Sequence, residues 1–350
     1  MDPVTVNRQE LLQQLDAVSP GLATREIIEQ SSCFVFTDGE IITYNDEVSC
    51  RQKTSIKLSG VVQSKPLISI LQKLSEDSVQ LEVGEGELVI IGKRRKAGIR
   101  MDKDLLLPIK NVEKPKKWKP VSEGFADAIN LVHECAGKDE SQFWSTCVHI
   151  NDKWIEACDN FQLSRYKLQT GISSSILVKS HAIKHLVALD AKELCETETW
   201  IHFRNSHGLV FSCRRYIEQY PDLTKMLKVS GTPTTLPKGL SDAAEKAEVF
   251  SAENTDNNQV LVEIRPGRLR IKGVGVSGWF AETKKLKYKG ESLSFMVSPK
   301  LLSELVKRYS ECEITADRLK VNGGSYTYLA CLEKSKENGD AATASNTEEG

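Results

Sequence analysis

The sequence lacks the features that mark several large classes of protein. Its 350 residues contain no apolar run close to the roughly 20 residues that a membrane-spanning helix needs. The N-terminus, Met1-Asp2-Pro3-Val4, has no basic segment followed by an apolar run, as a signal peptide would. No CxxC pair occurs among its nine cysteines. This pattern argues against a zinc site or a disulfide framework. We therefore expect buried or free thiols, a reducing cytoplasm and no membrane partner.

The chain also lacks an excess of basic residues. Its 47 Lys and Arg face 48 Asp and Glu, so the formal net charge is −1. A protein that holds DNA through contacts alone needs a basic excess, because neutralised phosphates supply most of its affinity. The composition therefore argues against a static DNA binder. A ring that is held on DNA by topology would need no such excess.

The sequence contains three copies of one internal repeat. Helical apolar patterns begin at Ser64, Ser180 and Ser298, which are 116 and 118 residues apart. Each serine is placed to cap its helix, and Pro299 fits the first helical position. A pattern of apolar alternation broken by turn residues follows each helix and predicts a hairpin.

Each unit also opens with a helix and a hairpin of its own. Asn7 with Glu10 resembles a capping box, and Ser122 and Ser241 precede the corresponding helices. The hairpins are predicted around the turns Asp38-Gly39, Asn151-Asp152 and Pro266-Gly267. The fold class is therefore α+β, with three tandem pseudo-duplicated domains, each of two helices packed on antiparallel sheet.

Shifts in composition place the domain boundaries. Residues 110–120 (KNVEKPKKWKP) and 229–239 (VSGTPTTLPKG) read as links between units. We predict domains at residues 1–117, 118–230 and 231–332. Residues 333–350 carry five acids and two lysines without an aromatic residue, a composition typical of a disordered acidic tail.

Several motifs suggest chemistry that their context does not support. Residues 273–278 spell GxGxxG, but the residues from Trp279 read as a strand rather than the helix that a dinucleotide site requires. His181 and His185 have a zinc-like spacing, yet Ala182 follows His181 and no third ligand is apparent. We predict that the basic residues 93–96 form the solvent-exposed end of a hairpin. No Ser/His/Asp grouping stands out. We expect no cofactor, no metal and no catalysis.

Local matches then connect the repeats to a known family. Residues 157–163 (ACDNFQL) resemble A-T-D-G-H-R-L, and residues 215–223 (RYIEQYPDL) resemble R-L-I-D-G-R-F-P-D-Y. Residues 326–332 (YTYLACL) stand where V-V-M-P-M-R-L ends the family's third domain. The chain resembles the bacterial DNA polymerase III beta subunits, the sliding clamps, from about Val4 to Leu332. Its departures would suit a divergent or phage-encoded member.

The resemblance implies a head-to-tail homodimer that closes a six-domain ring around double-stranded DNA without regard to sequence. Basic residues on or beside the helices would face the DNA: Arg8, Lys65, Lys73, Lys138, Lys179, Lys184, Lys300, Lys307 and Arg308. The family's dimer contact falls near residues 96–99 and 249–250, that is, on Ala97, Ile99, Val249 and Phe250. Ala97 stands where the family has a larger apolar residue.

The resemblance further implies a pocket that binds short peptides of the DNA polymerase and the clamp loader. Its walls would be Cys158, Asn160, Phe161, Gln162, Leu163, Pro221, Lys225, Met226, Tyr328, Leu329 and Ala330. Asn160-Phe161-Gln162 replaces Gly-His-Arg and Tyr328-Leu329-Ala330 replaces Met-Pro-Met, so the preferred peptide should differ.

Two other functions stay open at this point. A clamp-like scaffold or inhibitor would bind replication proteins without encircling DNA. An enzyme with a dispersed active site would turn over a substrate without a polymerase. Retention on circular DNA, but not on linear DNA with free ends, separates a clamp from both.

Overall fold

The computed structural model describes residues 3–254 and 258–334. Contacts divide these residues into two compact units. Unit 1 holds the residues up to Ala157 together with Tyr166–Tyr220, and unit 2 holds Cys158–Arg165 together with the residues from Pro221 onwards. The three domain boundaries drawn from the repeats stay a prediction. Residues 335–350 of the predicted tail lie outside the described residues.

The first repeat forms two helices and a run of antiparallel strands. The helices are α1 (Arg8–Val18) and α2 (Ser64–Lys73). The strands are β1 (Val4–Asn7), β2 (Cys33–Thr37), β3 (Glu40–Tyr44), β4 (Val48–Lys53), β5 (Gly60–Gln63), β6 (Ser78–Val83), β7 (Glu87–Ile91) and β8 (Lys96–Asp102). They pair in the order β1-β6-β7-β8-β5-β2-β3-β4. Asp38 and Gly39 both have positive φ, as the predicted two-residue hairpin turn requires.

The second repeat continues the same sheet within unit 1. Its helices are α3 (Phe125–Val132) and α4 (Ser180–Ile183). Its strands are β9 (Lys119–Pro120), β10 (Cys147–Ile150), β11 (Trp154–Cys158), β12 (Gln162–Lys167), β13 (Ile176–Lys179), β14 (Ala191–Glu196), β15 (Trp200–Asn205) and β16 (Val210–Arg214). Strand β16 pairs with β4 and extends the sheet in the order β4-β16-β15-β14-β9, while β13, β10 and β11 pair separately.

The third repeat lies in unit 2. Its helices are α5 (Leu240–Ser251) and α6 (Pro299–Arg308). Its strands are β17 (Thr232–Thr235), β18 (Val260–Arg265), β19 (Arg268–Val274), β20 (Trp279–Lys285), β21 (Leu293–Val297), β22 (Glu311–Ile314), β23 (Arg318–Gly323), β24 (Tyr326–Cys331) and β25 (Glu333–Lys334). They form the orders β20-β19-β18-β21-β25 and β12-β24-β23-β22-β17. The first two residues of the predicted tail thus belong to a strand.

The helix caps follow the sequence at only some positions. The side-chain oxygen of Asn7 accepts the N–H groups of Gln9 and Glu10, and that of Ser298 accepts the N–H of Leu301. The prediction was wrong for Ser64 and Ser180, whose hydroxyls instead donate to the carbonyl oxygens of Ser32 and His133. Ser122 likewise donates to the carbonyl of Gln169. These serines tie a helix start to a second segment of unit 1.

The link predicted at residues 110–120 is partly built into the core. Val112 and, just before the link, Leu107 and Ile109 pack in one buried cluster with Tyr44 and Trp200. Strand β9 at the end of the link pairs with β14. Because its apolar residues are buried, this segment fixes the first and second repeats to each other rather than acting as a solvated spacer.

His202 at the centre of β15 gives the fold a testable pH dependence. The side chain is fully buried, and its ring nitrogens bond the hydroxyls of Ser212 and Thr197 at 2.8 and 3.1 Å. Burial lowers the pKa of His202 from 6.5 to about 4. Between these pH values the unfolded chain binds a proton that the folded chain does not, so acidification destabilises the fold.

We expect the free energy of unfolding to fall by up to about 3 kcal/mol on this account between pH 7 and pH 4. Urea unfolding at several pH values checks this expectation. His202→Gln should flatten that part of the pH dependence, whereas His207→Gln, in an exposed turn, should leave it unchanged. If the free energy of unfolding falls equally steeply with pH in wild type and His202→Gln, the pH dependence does not come from His202.

Candidate functional site

The residues predicted to form the peptide pocket all lie in unit 2. Three segments carry them: the turn before β12, residues 221–227, and β24. The Asp159 carboxylate accepts the N–H groups of Phe161 and Gln162 at 2.7 and 2.8 Å. Burial raises the pKa of this carboxyl. This turn projects Phe161 outward, and its ring is 63% exposed.

The turn is joined directly to β24. The carbonyl oxygen of Phe161 accepts the N–H of Cys331 at 2.7 Å. The hydroxyl of Tyr328 donates to the side-chain oxygen of Gln162 at 3.2 Å. The structure therefore brings the first and last parts of the predicted pocket together.

Residues 221–227 form a short ordered segment beside β12. Arg165 donates to the hydroxyl of Thr224 at 3.4 Å, Leu223 is buried, and the N–H of Leu227 bonds the carbonyl of Leu223. Met226 is nevertheless 44% exposed. The buried side chain of Leu223 thus anchors residues 221–227, whose other side chains mostly face solvent.

The predicted pocket residues divide into an exposed and a buried group. The exposed residues are Asn160, Phe161, Pro221, Lys225 and Met226. The buried residues are Cys158, Gln162, Leu163, Tyr328, Leu329 and Ala330. Those of the second group support the surface from beneath, because they have almost no area that a partner could touch. We call the exposed group the peptide surface.

The predicted DNA-facing residues of unit 1 have different environments. Lys65, Lys73, Lys138 and Lys184 are exposed. Arg8 is half-buried and donates to the carbonyl oxygens of Glu76 and Leu71 at 2.8 and 3.1 Å. It therefore connects the start of α1 to the end of α2, in addition to any role toward DNA.

Lys179 does not fit the predicted DNA-facing role. Its side chain is 4% exposed, its ammonium bonds Glu140 and Thr146, and it lies 4.4 Å from the centre of the Phe143 ring. A lysine buried with its partners is not available to a phosphate. The correction has a simple cause: Lys179 ends β13, where its side chain turns inward, rather than starting the helix.

In unit 2 each predicted cation has a carboxylate beside it. Lys300 lies 3.8 Å from Glu248, Lys307 lies 2.8 Å from Glu245, and Arg308 lies 3.5 Å from Glu304. Two of these acids belong to α5, which packs along α6. The helix pair is therefore mixed in charge, and exposed ion pairs of this kind contribute little stability.

The residues predicted for the dimer contact lie on strand β8 in unit 1 and near the end of helix α5 in unit 2. Residues 96–100 of β8 pair with β7, and among the described residues β5 pairs only with Met101 and Asp102 of that strand. Ala97 is half-buried there, whereas Ile99 is buried within unit 1. In unit 2, Val249 is 67% exposed and Phe250 is half-buried.

The sequence missed the apolar side chains beside Val249. Val274, Val276 and Trp279 are 49%, 91% and 63% exposed. Trp279 begins β20, the edge strand of its sheet within the part of the chain that is described. Only the strand order reveals that β20 is an edge strand, because the sequence Trp279-Phe280-Ala281 is equally compatible with a central strand.

The GxGxxG segment connects two strands, as its sequence context indicated, and it also lets a helix pack closely against the sheet. It joins β19 to β20, and no helix starts there. A Cβ on Gly273 would lie 2.1 Å from the carbonyl oxygen of Ala247, and one on Gly275 would lie 2.2 Å from that of Phe250. The glycines let α5 approach the sheet closely.

Unit 1 also contains a Ser–His–Glu chain that the sequence did not reveal. His149 Nδ1 lies 2.7 Å from the Glu156 carboxylate, which also accepts the Trp154 indole N–H at 2.9 Å. His149 Nε2 lies 2.7 Å from the exposed Ser175 hydroxyl. Separations of 7 and 26 residues leave no motif to read. These hydrogen bonds join β10, β11 and the loop before β13.

The described residues show little metal chemistry. His181 Nε2 contacts the Glu47 carboxylate. No group of three or more His, Cys, Asp or Glu side chains in residues 3–254 and 258–334 is arranged to hold a metal ion. None of the nine cysteines, all of which are described, is in a disulfide, and eight are buried. None of the described helices has the length and apolar character to span a membrane.

No protein-family model and no curated protein sequence matches the chain. Its structure does match solved structures. The DNA polymerase III beta chain from Streptococcus pneumoniae TIGR4 superposes with a TM-score of 0.72 at 18% identity, over 96% of this chain and 100% of that one. A sliding clamp from Bartonella birtlesii, solved with griselimycin, gives 0.71 at 14% identity, over 95% and 99%.

The chain has the sliding-clamp fold. The beta subunit from Thermotoga maritima agrees, with a TM-score of 0.69 at 16% identity over 95% of this chain and 99% of that one. The clamp fold confirms the predicted α+β class of helices on antiparallel sheet. At these identities the comparison supports a shared fold. It does not carry over the roles of individual residues on the peptide surface or the helix faces.

Proposed function

We propose that this chain is a DNA sliding clamp, a non-catalytic processivity factor that encircles double-stranded DNA and tethers a DNA polymerase. The observation that carries the proposal is the extent of the fold match, which runs through 96% of this chain and the whole of the Streptococcus pneumoniae beta chain. A match through all three repeats supports the same domain architecture, whereas a match to one repeat would support only one shared domain.

The charge distribution supports a partner held by topology. The helix cations of unit 2 are each beside a carboxylate, and the net charge is −1. Four exposed lysines of the predicted set in unit 1, Lys65, Lys73, Lys138 and Lys184, are accessible to phosphates. So few contacts alone would give weak, salt-sensitive affinity. A closed ring keeps DNA without strong contacts and leaves it free to slide.

Ring closure would use the two strand edges. We propose that residues 96–100 of β8 in one copy pair with β20 in the other, so that two such contacts join six domains. Backbone pairing satisfies the exposed N–H and C=O groups of both edges. Trp279, Val276 and Val249 would then be buried against the second copy, which explains an otherwise costly exposed apolar patch.

The peptide surface would receive the polymerase and the clamp loader. Phe161 and Met226 supply apolar contact area, and Asn160 and Lys225 supply polar groups around it. Short extended peptides bind surfaces of this composition. The firmly held turn at Asp159 would present Phe161 without a large entropic cost on binding.

The ring proposal predicts the solution mass and the behaviour on DNA. Light scattering across a dilution series should give about 78 kDa, twice the 39.0 kDa of the chain. Protein assembled on a nicked circular plasmid should stay bound through gel filtration, and it should be released when the plasmid is cut once. A stable monomer, or equal retention on linear DNA, would contradict encirclement.

The dimer contact predicts a specific effect of Trp279→Asp. A carboxylate buried without a partner at the contact is costly. The variant should therefore run near 39.0 kDa at concentrations where the wild type is a dimer. Ile217→Asp, at an exposed apolar position of unit 1, is the matched control and should stay dimeric. A fully dimeric Trp279→Asp would place the contact elsewhere.

The peptide surface predicts which substitutions abolish partner binding without unfolding the chain. Phages displaying random short peptides are selected on the wild type, and the affinities of the selected peptides are measured. Phe161→Asp and Met226→Asp should each weaken binding by about 30-fold, as loss of an interface hot spot of about 2 kcal/mol does.

Ile217→Asp should leave peptide affinity unchanged. Leu329→Asp is a poor test, because Leu329 is 2% exposed and its replacement would disturb the core. If the selected peptides bind Phe161→Asp and Met226→Asp as tightly as they bind wild type, they use another surface.

A further inference from the structure

Unit 2 contains a cavity of about 1000 Å³ that none of the predicted sites uses. Three segments enclose it: the β18–β19 turn at Pro266–Gly267, residues 286–291 between β20 and β21, and residues 314–316 after β22. Backbone bonds from Gly267 to Tyr288 and from Leu286 to Gly267 hold the first two segments together. The cavity is therefore a fixed feature of the unit.

The lining of the cavity is apolar inside and mostly cationic at its rim, where the acid Glu291 is paired with Lys334. Leu286, Tyr288 and Leu293 are almost fully buried against it. Lys287 and Lys289 line it and are exposed. Arg268 and Lys285, which face each other across β19 and β20, add two more exposed cations beside the turn. We call these four residues the cationic rim.

The described part of the chain ends at this cavity. Lys334, its last residue, pairs with Leu293 in the β21–β25 ladder. Its ammonium lies 2.8 Å from the carboxylate of Glu291. Because both partners line the cavity, the described part of the chain ends at the cavity's edge.

The sequence that follows complements this surface. Residues 335–350 carry acids at Glu337 and Asp340, then the small apolar stretch 341–344 (AATA), then acids at Glu348 and Glu349. Acids on either side of small apolar residues match a cationic rim around an apolar interior. Sixteen residues can extend to about 50 Å, so every part of the cavity is within reach.

We propose that residues 335–350 dock into this cavity of their own chain, with 341–344 inside and the flanking acids on the cationic rim. Each contact is weak, since exposed ion pairs contribute little. Tethering compensates, because a short linker gives an effective concentration in the millimolar range. Added salt screens the rim and shifts the balance toward release. The proposal concerns this cavity alone and stands apart from the proposed clamp function.

Hydrogen exchange measured by mass spectrometry tests the docking. The full chain is compared with a chain that stops at Lys334, which keeps β25. Amides in residues 284–293 and 314–316 should exchange about twofold more slowly in the full chain if the tail occupies the cavity half of the time. High salt and Lys287→Glu/Lys289→Glu should each remove that difference. Equal exchange in both chains at low salt overturns the proposal.

A photo-crosslink identifies the occupant. The residue p-benzoylphenylalanine is placed at Ala342 of the full chain, and irradiation should join it to residues 286–293 or 314–316 of the same molecule. Mixing isotopically light and heavy chains separates crosslinks within a chain from those between copies. Crosslinks between copies, or to other parts of the molecule, contradict the proposal. Reversing the charge of Glu348 and Glu349 together with that of the two rim lysines should restore the crosslink that Lys287→Glu/Lys289→Glu loses.

Discussion

The pairing of strand edges is the constraint on which the rest of this structure depends. A sheet leaves unpaired N–H and C=O groups at each edge, and these must be paired, covered or blocked. In unit 1 the chain pairs them internally, because β16 of the second repeat continues the sheet of the first through β4. Residues 96–100 of β8 and strand β20 keep an open edge among the described residues. The exposed Trp279 beside the second edge supports the proposal that a second copy covers it.

The repeat order and the hairpins could be predicted from the sequence because their causes are local. Asp38-Gly39 needs only positive φ at two adjacent residues, and Pro266-Gly267 marks the turn between β18 and β19. The serine caps were less predictable, since a hydroxyl bonds whatever acceptor the fold brings near. Ser64 found a carbonyl 32 residues away. The burial of Val112 within the link at residues 110–120 was also not visible in the sequence, because the residues around it are polar or charged.

The candidate site was predictable as a set of segments but not as a set of accessible side chains. The turn at Phe161 does meet β24, as the resemblance implied, through the bond to Cys331. Whether a strand residue faces a partner or the core depends on what covers each face of the sheet, and this is set by distant residues. Leu329 is buried for that reason, and the buried ammonium of Lys179 donates hydrogen bonds to Glu140 and Thr146. The resemblance to the family identified the positions of the predicted pocket. The packing of the chain determines which of their side chains are accessible to a partner.

Charge and edge pairing together favour one way of holding DNA. A helix face on which Lys300, Lys307 and Arg308 each lie beside a carboxylate presents little net field to a phosphate backbone. In the clamp that we propose, strong retention comes from closure of the chain around DNA, and closure requires strand edges that are left open within one copy. The proposal assigns that role to the edge at β8 and the edge at β20, with the exposed Trp279 at the proposed contact. A protein that gripped DNA by charge would need neither the open edges nor the apolar patch beside them.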